Sequence, residues 1–491
     1  VAGRKLLLPG ALIALLCGQA AQAQSTNWEW SNVGPAYDHF DLTLTPGDRT
    51  EAVGPFYYRE QSDSKRIWAL PPLLSYATDK DVEMTEFNFV HPVFSYVRFG
   101  DQYRWHLFQL LSSAGGPTQL ETERNRFTLY PILFYQRSSD TNQNYTAYGP
   151  FYGHLQNRLF RDEIEYVLFP AYSRTRKKDV VTHNYLFPFF HVREGNALSG
   201  WQFWPLYGQE SKGVTTATNN FGDVTTIGGH ESSFVLWPFF GSQRTGLGTD
   251  DEASQHTLLP FYYGLRSKKR DQTTVVWPFF SKIDEREKGY EEWHAPWPFV
   301  VFASGPGKTT HRVLPFYSHA QSTNLESTIY LWPVYRSTHL QSAPLDRKRT
   351  RILFFLYSDL KALNTETGKD KRRIDLWPLF TSSKDFKGNR RLQILAPLEP
   401  ILPENSNIEM EYSPVWSIWR AENNPTTGAS SQSLLWNLYR HSVTKESREW
   451  SFLFGLFQHR RDGEISQTRL FFIPFQGTPS KAPRFDETQK P

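Results

Sequence analysis

The chain has 491 residues, 39% hydrophobic and 16% aromatic, which is enough apolar material for a sizeable core and favours strands over helices. The formal charge is +4, and +2 without Arg4 and Lys5, so no global charge draws the chain to nucleic acid or another polyanion. Cys17 is the one cysteine; a mature chain without it has no thiol catalysis, no cysteine-ligated zinc and no iron–sulfur cluster.

In chain order, Arg4 and Lys5 precede an apolar run from Leu6 to Cys17, and Ala21-Gln22-Ala23 follows. A basic start, an apolar stretch and a small-x-small site predict a signal peptide over residues 1–23 and an exported protein. The apolar run is short for a membrane anchor, and Leu15 and Leu16 are bulky for a lipoprotein signal at Cys17. Residues 24–50 read as an N-terminal extension, 51–476 as a repetitive strand body and 477–491 as a disordered polar tail.

The body repeats one motif, a short apolar run around a proline. Clear copies are Leu236-Trp237-Pro238-Phe239-Phe240, Val276-Trp277-Pro278-Phe279-Phe280 and Leu331-Trp332-Pro333-Val334-Tyr335. Gly149-Pro150-Phe151-Tyr152 and Leu314-Pro315-Phe316-Tyr317 are a second flavour, and Leu435-Trp436-Asn437-Leu438-Tyr439 keeps the frame without proline. Twenty-two centres fall between residues 55 and 474, spaced about twenty apart. A longer step holds Ser211 to His230, rich in Gly, Thr and Asn, which reads as an extended loop. Charged stretches such as Ser281 to Gly289 read as turns, and no linker offers the apolar stripe of a helical crossover.

This predicts an all-β fold: a closed antiparallel up-and-down meander of about 22 strands, a large β-barrel or ring. Each strand is centred on its proline, with Ile329, Leu331, Pro333 and Tyr335 on one face. Met410, Tyr412, Pro414 and Trp416 make the same pattern at another copy. Proline donates nothing to a ladder, so each strand bulges or bends there. A transmembrane barrel fits the signal peptide and the alternation. The mid-strand Trp positions and the missing donors in lipid favour a closed sheet with a covered aromatic waist. The tandem Trp-Pro-aromatic strands resemble uncharacterised bacterial secreted or outer-membrane β-repeat proteins, a resemblance that brings no residue role.

Motifs with chemistry are sparse. Ser304-Gly305-Pro306-Gly307-Lys308-Thr309 lacks the first glycine of a phosphate loop, since Phe302 stands there, and reads as a hairpin turn. His91, His183, His256, His294 and His311 show no metal-ligand spacing. Asp250-Asp251-Glu252 lacks a calcium-loop pattern. Glu163 and Glu165 point the same way on one strand, as rim charges or as half of a glycosidase pair.

The expectation is therefore a protein with no catalytic, cofactor-binding or metal site and no cofactor. Its role is structural or scaffold-like in the cell envelope, at the outer membrane or its periplasmic or surface face. A porin-like or plugged barrel and a carbohydrate-binding surface module are the alternatives. The partners expected are membrane or envelope components, a glycan or a second copy of the chain, and not nucleic acid.

Overall fold

The computed structural model describes residues 32–119, 121–218, 224–463 and 465–476. The expected signal peptide and polar tail lie outside the described residues. One antiparallel sheet of 43 short strands dominates, and a separate two-stranded hairpin stands beside it. The fold is all-β and antiparallel as expected, but with roughly twice the expected number of strands.

The prolines explain the doubling. Most proline motifs, such as those at Pro238, Pro278 and Pro333, are the tips of hairpins, where the chain reverses, and not the middles of strands. Strand Arg270–Val275 pairs with Phe280–Glu285, with Val275 opposite Phe280, and Val276 to Phe279 make the turn. Phe279 N–H donates to Val276 O at 2.9 Å, and the Trp277–Pro278 peptide is cis. The ladder also runs on across the tips. Trp277 N–H donates to Pro260 O of the preceding tip at 2.7 Å, and Trp332 N–H to Pro315 O at 2.6 Å. Proline thus sits where the turn asks for no N–H while its carbonyl serves the next repeat. No bulge or mid-strand bend is needed. The stretch from Ser281, expected to be a turn, begins as strand Phe280–Glu285.

Three segments differ from expectation locally. The Ser211–His230 insert carries the extra hairpin, Thr215–Thr218 with Val224–Ile227. Strand Tyr207–Lys212 pairs directly with Gly229–Val235, so the insert leaves the main ladder unbroken. The sheet begins at strand Asp38–Asp41, inside the stretch expected to precede the body. The copy around Pro414 is helical, with helices Ser406–Glu411 and Ser413–Trp416. Asn405 caps the first helix, its side chain accepting from Asn407 N–H at 3.0 Å and Ile408 N–H at 3.2 Å.

The sheet is not closed. Strand Asp38–Asp41 pairs with Gly47–Ala52, and Ile473–Gln476 pairs with Ile465–Leu470; among the described residues the two end strands do not pair with each other. This rules out the closed barrel or ring. Strand length opposes the transmembrane barrel as well. Most strands have 6 residues, such as Phe190–Gly195, about 20 Å of extended chain, whereas a membrane-crossing strand needs about 9–11 residues.

The two ends instead face each other through side chains. Tyr58 OH donates to Met410 O at 2.9 Å, and Tyr58, Ile67, Ala69, Ala77 and Met410 form a buried cluster. The buried Glu411 carboxylate accepts from Ser75 Oγ and from His91 N–H, both at 2.9 Å. The helical insert thereby fastens the C-terminal third of the chain to the first strands.

Candidate functional site

Two rows of cross-strand partners organise the sheet. On the inner face, Ala69 lies opposite Ser75, Ser75 opposite Asn88 and Asn88 opposite Ser95, all buried and small or polar. Further along, Gly208 continues this row opposite Phe234; a Cβ at Gly208 would come within 2.3 Å of the Phe234 ring, which would have to move to admit one.

On the outer face, next to the proline tips, runs a second row. It passes from Leu70 through Leu74, Phe89, Phe94 and Leu107 to Phe280, and every member is aliphatic or aromatic. After the irregular Ala295–Val300 turn it resumes at Val300 and stays apolar to Ile473. The tips add Leu186, Trp237, Phe239, Trp277 and Trp332, all exposed. One long rim of the sheet is therefore apolar and uncovered. The opposite rim carries turns such as Ser267–Lys269 and Arg286–Lys288. The 43 strands at about 4.8 Å spacing give this rim a contour of about 200 Å.

The backbone at the tips sharpens this observation. At several tips the residue two before the proline has positive φ: 47° at Leu168, 50° at Leu186, 49° at Leu236, 51° at Val276 and 47° at Leu331. Glycine takes that conformation freely, whereas a bulky or β-branched residue does so at a cost of about 1–2 kcal/mol. Here the bulky residue is retained, and its side chain is exposed. Neither backbone geometry nor solubility in water accounts for that choice.

The residues singled out from sequence do not converge. Glu163 and Glu165 share a face with His154, and one ligand atom from each lies within 4.8 Å of the others. Arg176 Nε reaches Glu163 Oε2 at 2.8 Å and Arg174 Nη1 reaches Glu165 Oε2 at 3.2 Å, while His154 Nε2 lies 2.8 Å from Glu163 Oε1. Burial raises the Glu163 pKa, but hydrogen bonds from Arg176 and His154 outweigh it and hold the carboxyl below its usual range. The two carboxylates are thus neutralised by two guanidiniums, and the group is an ion network with no charge to spare for a cation.

His183 Nδ1 meets Tyr172 OH at 3.0 Å, His256 meets Ser242 at 3.4 Å and His294 meets Glu292 at 2.9 Å. His311 lies opposite His319 in the ladder, with its ring edge-on to Phe302. His91 serves the helical insert, its carbonyl accepting from Tyr412 OH at 2.9 Å. Glu252 pairs with Arg244 across a hairpin, and Asp251 accepts from Lys269 N–H at 3.3 Å. The glycine-rich stretch around Gly305 joins strands Val300–Ser304 and Lys308–Val313, the hairpin turn read from its sequence.

Two inner-face features were not visible in the sequence. Where the sheet ends meet, a cavity of about 360 Å³ is lined by Arg49, Arg391, Arg420 and Arg440 against Glu51, Glu60 and Glu422. Asn437 Nδ2 donates to Asp38 Oδ2 at 2.9 Å and to Glu51 Oε2 at 2.8 Å. Burial, partly offset by Arg440, pushes the Asp38 carboxyl up to about 6. The second feature is a cavity of about 1090 Å³ that spans the sheet from Tyr130 to Phe234. The first joins residues 40–60 to residues 385–440 and the second runs over successive hairpins, so only the folded arrangement discloses them.

Among the described residues, no helix is long and apolar enough to cross a membrane. No family model matches the chain, and no curated protein matches it. It is a large antiparallel β-sheet protein with one apolar rim and one charged rim.

Proposed function

We propose that the protein is a non-enzymatic scaffold of the cell envelope that lies rim-down on a lipid surface. The observation that carries this reading is the long apolar rim, interrupted only locally. Soluble monomers rarely expose contiguous apolar patches beyond a few hundred Å², and a rim this long exceeds that many times over.

The layering fits an interface. The tips and the outer apolar row are deepest. The next outer row is amphipathic, with Trp68 opposite Tyr76, Tyr76 opposite Phe87 and Tyr96 opposite Trp105. Charged turns lie furthest away. Tyr and Trp favour the depth where apolar and wet regions meet. Elements seated in the interface are buried about 5–10 Å, comparable to a tip plus one strand row. The tip rings Trp237, Trp277 and Trp332 are flanked by Leu, Val, Pro and Phe, whereas a sugar-stacking platform sets amides and carboxylates beside its rings. This favours lipid over glycan.

The test is flotation of purified mature protein with phosphatidylcholine vesicles. The protein is expected to float, and to stay bound at high salt because the contact is apolar. A monodisperse monomer that ignores vesicles in detergent-free buffer would overturn the proposal. A soluble dimer would assign the rim to a second copy.

A further inference from the structure

The cavity of about 1090 Å³ on the inner face exceeds the about 300–1,000 Å³ of common small-ligand clefts. Its floor is Phe134, Leu155, Ile164, Tyr166 and Phe234, with space left by Ser173, Thr175 and Thr182. One end is built from apolar-rim tips, with Tyr130, Ile132, Phe169 and Phe187. The other end reaches Leu159, on the turn after strand Tyr152–Arg158, and Arg161, which opens strand Arg161–Val167 at the charged rim. The cavity therefore runs the full width of a strand, about 20 Å, from the apolar edge to the charged one.

The charged end is unbalanced. Arg161 has no carboxylate partner among the described residues. Arg158 spends its donors on neutral oxygens, Tyr145 OH at 2.9 Å and Thr128 Oγ1 at 2.8 Å. Arg126 Nε does likewise, on Gln136 Oε1 at 2.8 Å. Tyr145 packs against Phe134 and Leu155, which places these arginines directly behind the cavity floor. Nearby arginines differ: Arg124, Arg174, Arg176 and Arg193 each hold a glutamate. The walls also carry Asn184, Gln202, Gln209 and the paired Arg193 and Glu210, but a mostly apolar floor with unneutralised guanidinium charge at its far end has the polarity of an amphiphile.

We infer that this cavity takes up the acyl chain of a single-chain anionic amphiphile, which enters from the apolar rim and meets Arg161 with its acidic head, with Arg158 and Arg126 in support. The entry route rests on the proposed seating of the rim in lipid; the site itself rests on the cavity and its arginines.

The experiment measures equilibrium binding of radiolabelled palmitate, and separately of hexadecanol, to the full chain held in solution by an amphipathic polymer. Palmitate is expected to bind saturably, at one per chain, and at least tenfold more tightly than hexadecanol. Arg161→Ala combined with Arg158→Ala should remove that preference and leave hexadecanol binding in place. Thr182→Trp, which puts an indole into the channel, should abolish binding of both; Thr175→Phe does the same in the neighbouring strand should the first variant fail to fold. Equal binding of acid and alcohol to wild type, or unchanged binding in folded Thr182→Trp or Thr175→Phe, overturns the inference. Phosphatidylcholine flotation of the same variants separates the two proposals. Wild type that floats but binds no palmitate removes the cavity site alone, and wild type that binds palmitate but does not float removes the rim reading alone.

Discussion

The positive-φ leucines at the tips allow stability and lipid binding to be separated by mutation. Leu168, Leu186, Leu236 and Leu331 are 59, 64, 47 and 56% exposed, so each has roughly half a side chain to bury in lipid. Full burial of a leucine is worth about 1.5–3 kcal/mol, and half of that is about 1 kcal/mol each. Replacing all four with glycine therefore removes about 4 kcal/mol of transfer energy, about a thousandfold in partition coefficient. The folded state barely notices. Glycine relieves about 1–2 kcal/mol of left-handed strain at each site, offset by about 0.5–1 kcal/mol of extra unfolded-chain entropy and some lost packing. The assay pairs vesicle partition with urea denaturation of the quadruple variant. Lost partition at unchanged denaturation midpoint is expected. A variant that unfolds early while a folded fraction still binds vesicles normally would refute the reasoning, because the leucines would then be structural.

Three further predictions concern the fastenings of the sheet. Glu292 receives His294 and Lys308 Nζ at 2.9 and 2.6 Å; burial opposes ionisation there, but these hydrogen bonds win and its pKa falls to about 2. Glu292→Gln should thus cost about 1–3 kcal/mol near neutral pH, a difference present above the unfolded pKa and lost as pH falls through the folded value, measured by denaturant titration against wild type. Asp38 has the opposite sign: burial raises its folded pKa to about 6, above the usual carboxylate range. Relative to Asp38→Asn, wild type should lose up to about 3 kcal/mol as pH rises from 4 to 6, and a flat difference would contradict the burial argument. Tyr58→Phe removes the hydrogen bond to Met410 O and should cost about 1 kcal/mol, with faster proteolysis around Ser406–Glu411 as the local readout.

Much of the fold is legible in the residues: the repeat of about twenty, the antiparallel neighbours, the absence of crossover helices and the hairpin at Gly305. The main misreading concerns where the apolar residues go. Val276-Trp277-Pro278-Phe279 looks like a buried strand centre if apolar means inside. In this protein such runs are tips, and the strands are the polar stretches between them, such as Arg270-Asp271-Gln272-Thr273-Thr274-Val275. The proline itself held the correction. A residue without a donor belongs in a turn sooner than in eighteen ladder positions. The charged-looking linkers followed that error, because Phe280–Glu285 is strand despite Lys282, Asp284 and Glu285. The helical insert was signalled only by Asn405 ahead of Ile408 and Met410, a weak cap pattern beside a proline that imitated the repeat.

The same reversal explains why the candidate site was hidden. A strand centred on proline would place Leu331 and Tyr335 on one covered face. A tip at proline instead pairs Tyr330 with Tyr335 and pushes Leu331 and Trp332 out at the rim. Every repeat adds one such tip, so apolar exposure grows in proportion to chain length and never closes on itself. In water each added repeat would enlarge an unfavourable surface, whereas against lipid each adds to adhesion. Hairpin repetition that is a liability in water is what the proposed seating on lipid would use. Along the ladder each hairpin adds one more tip to the same rim, while the helical insert ties the later strands back to the first through Tyr58 and Ser75.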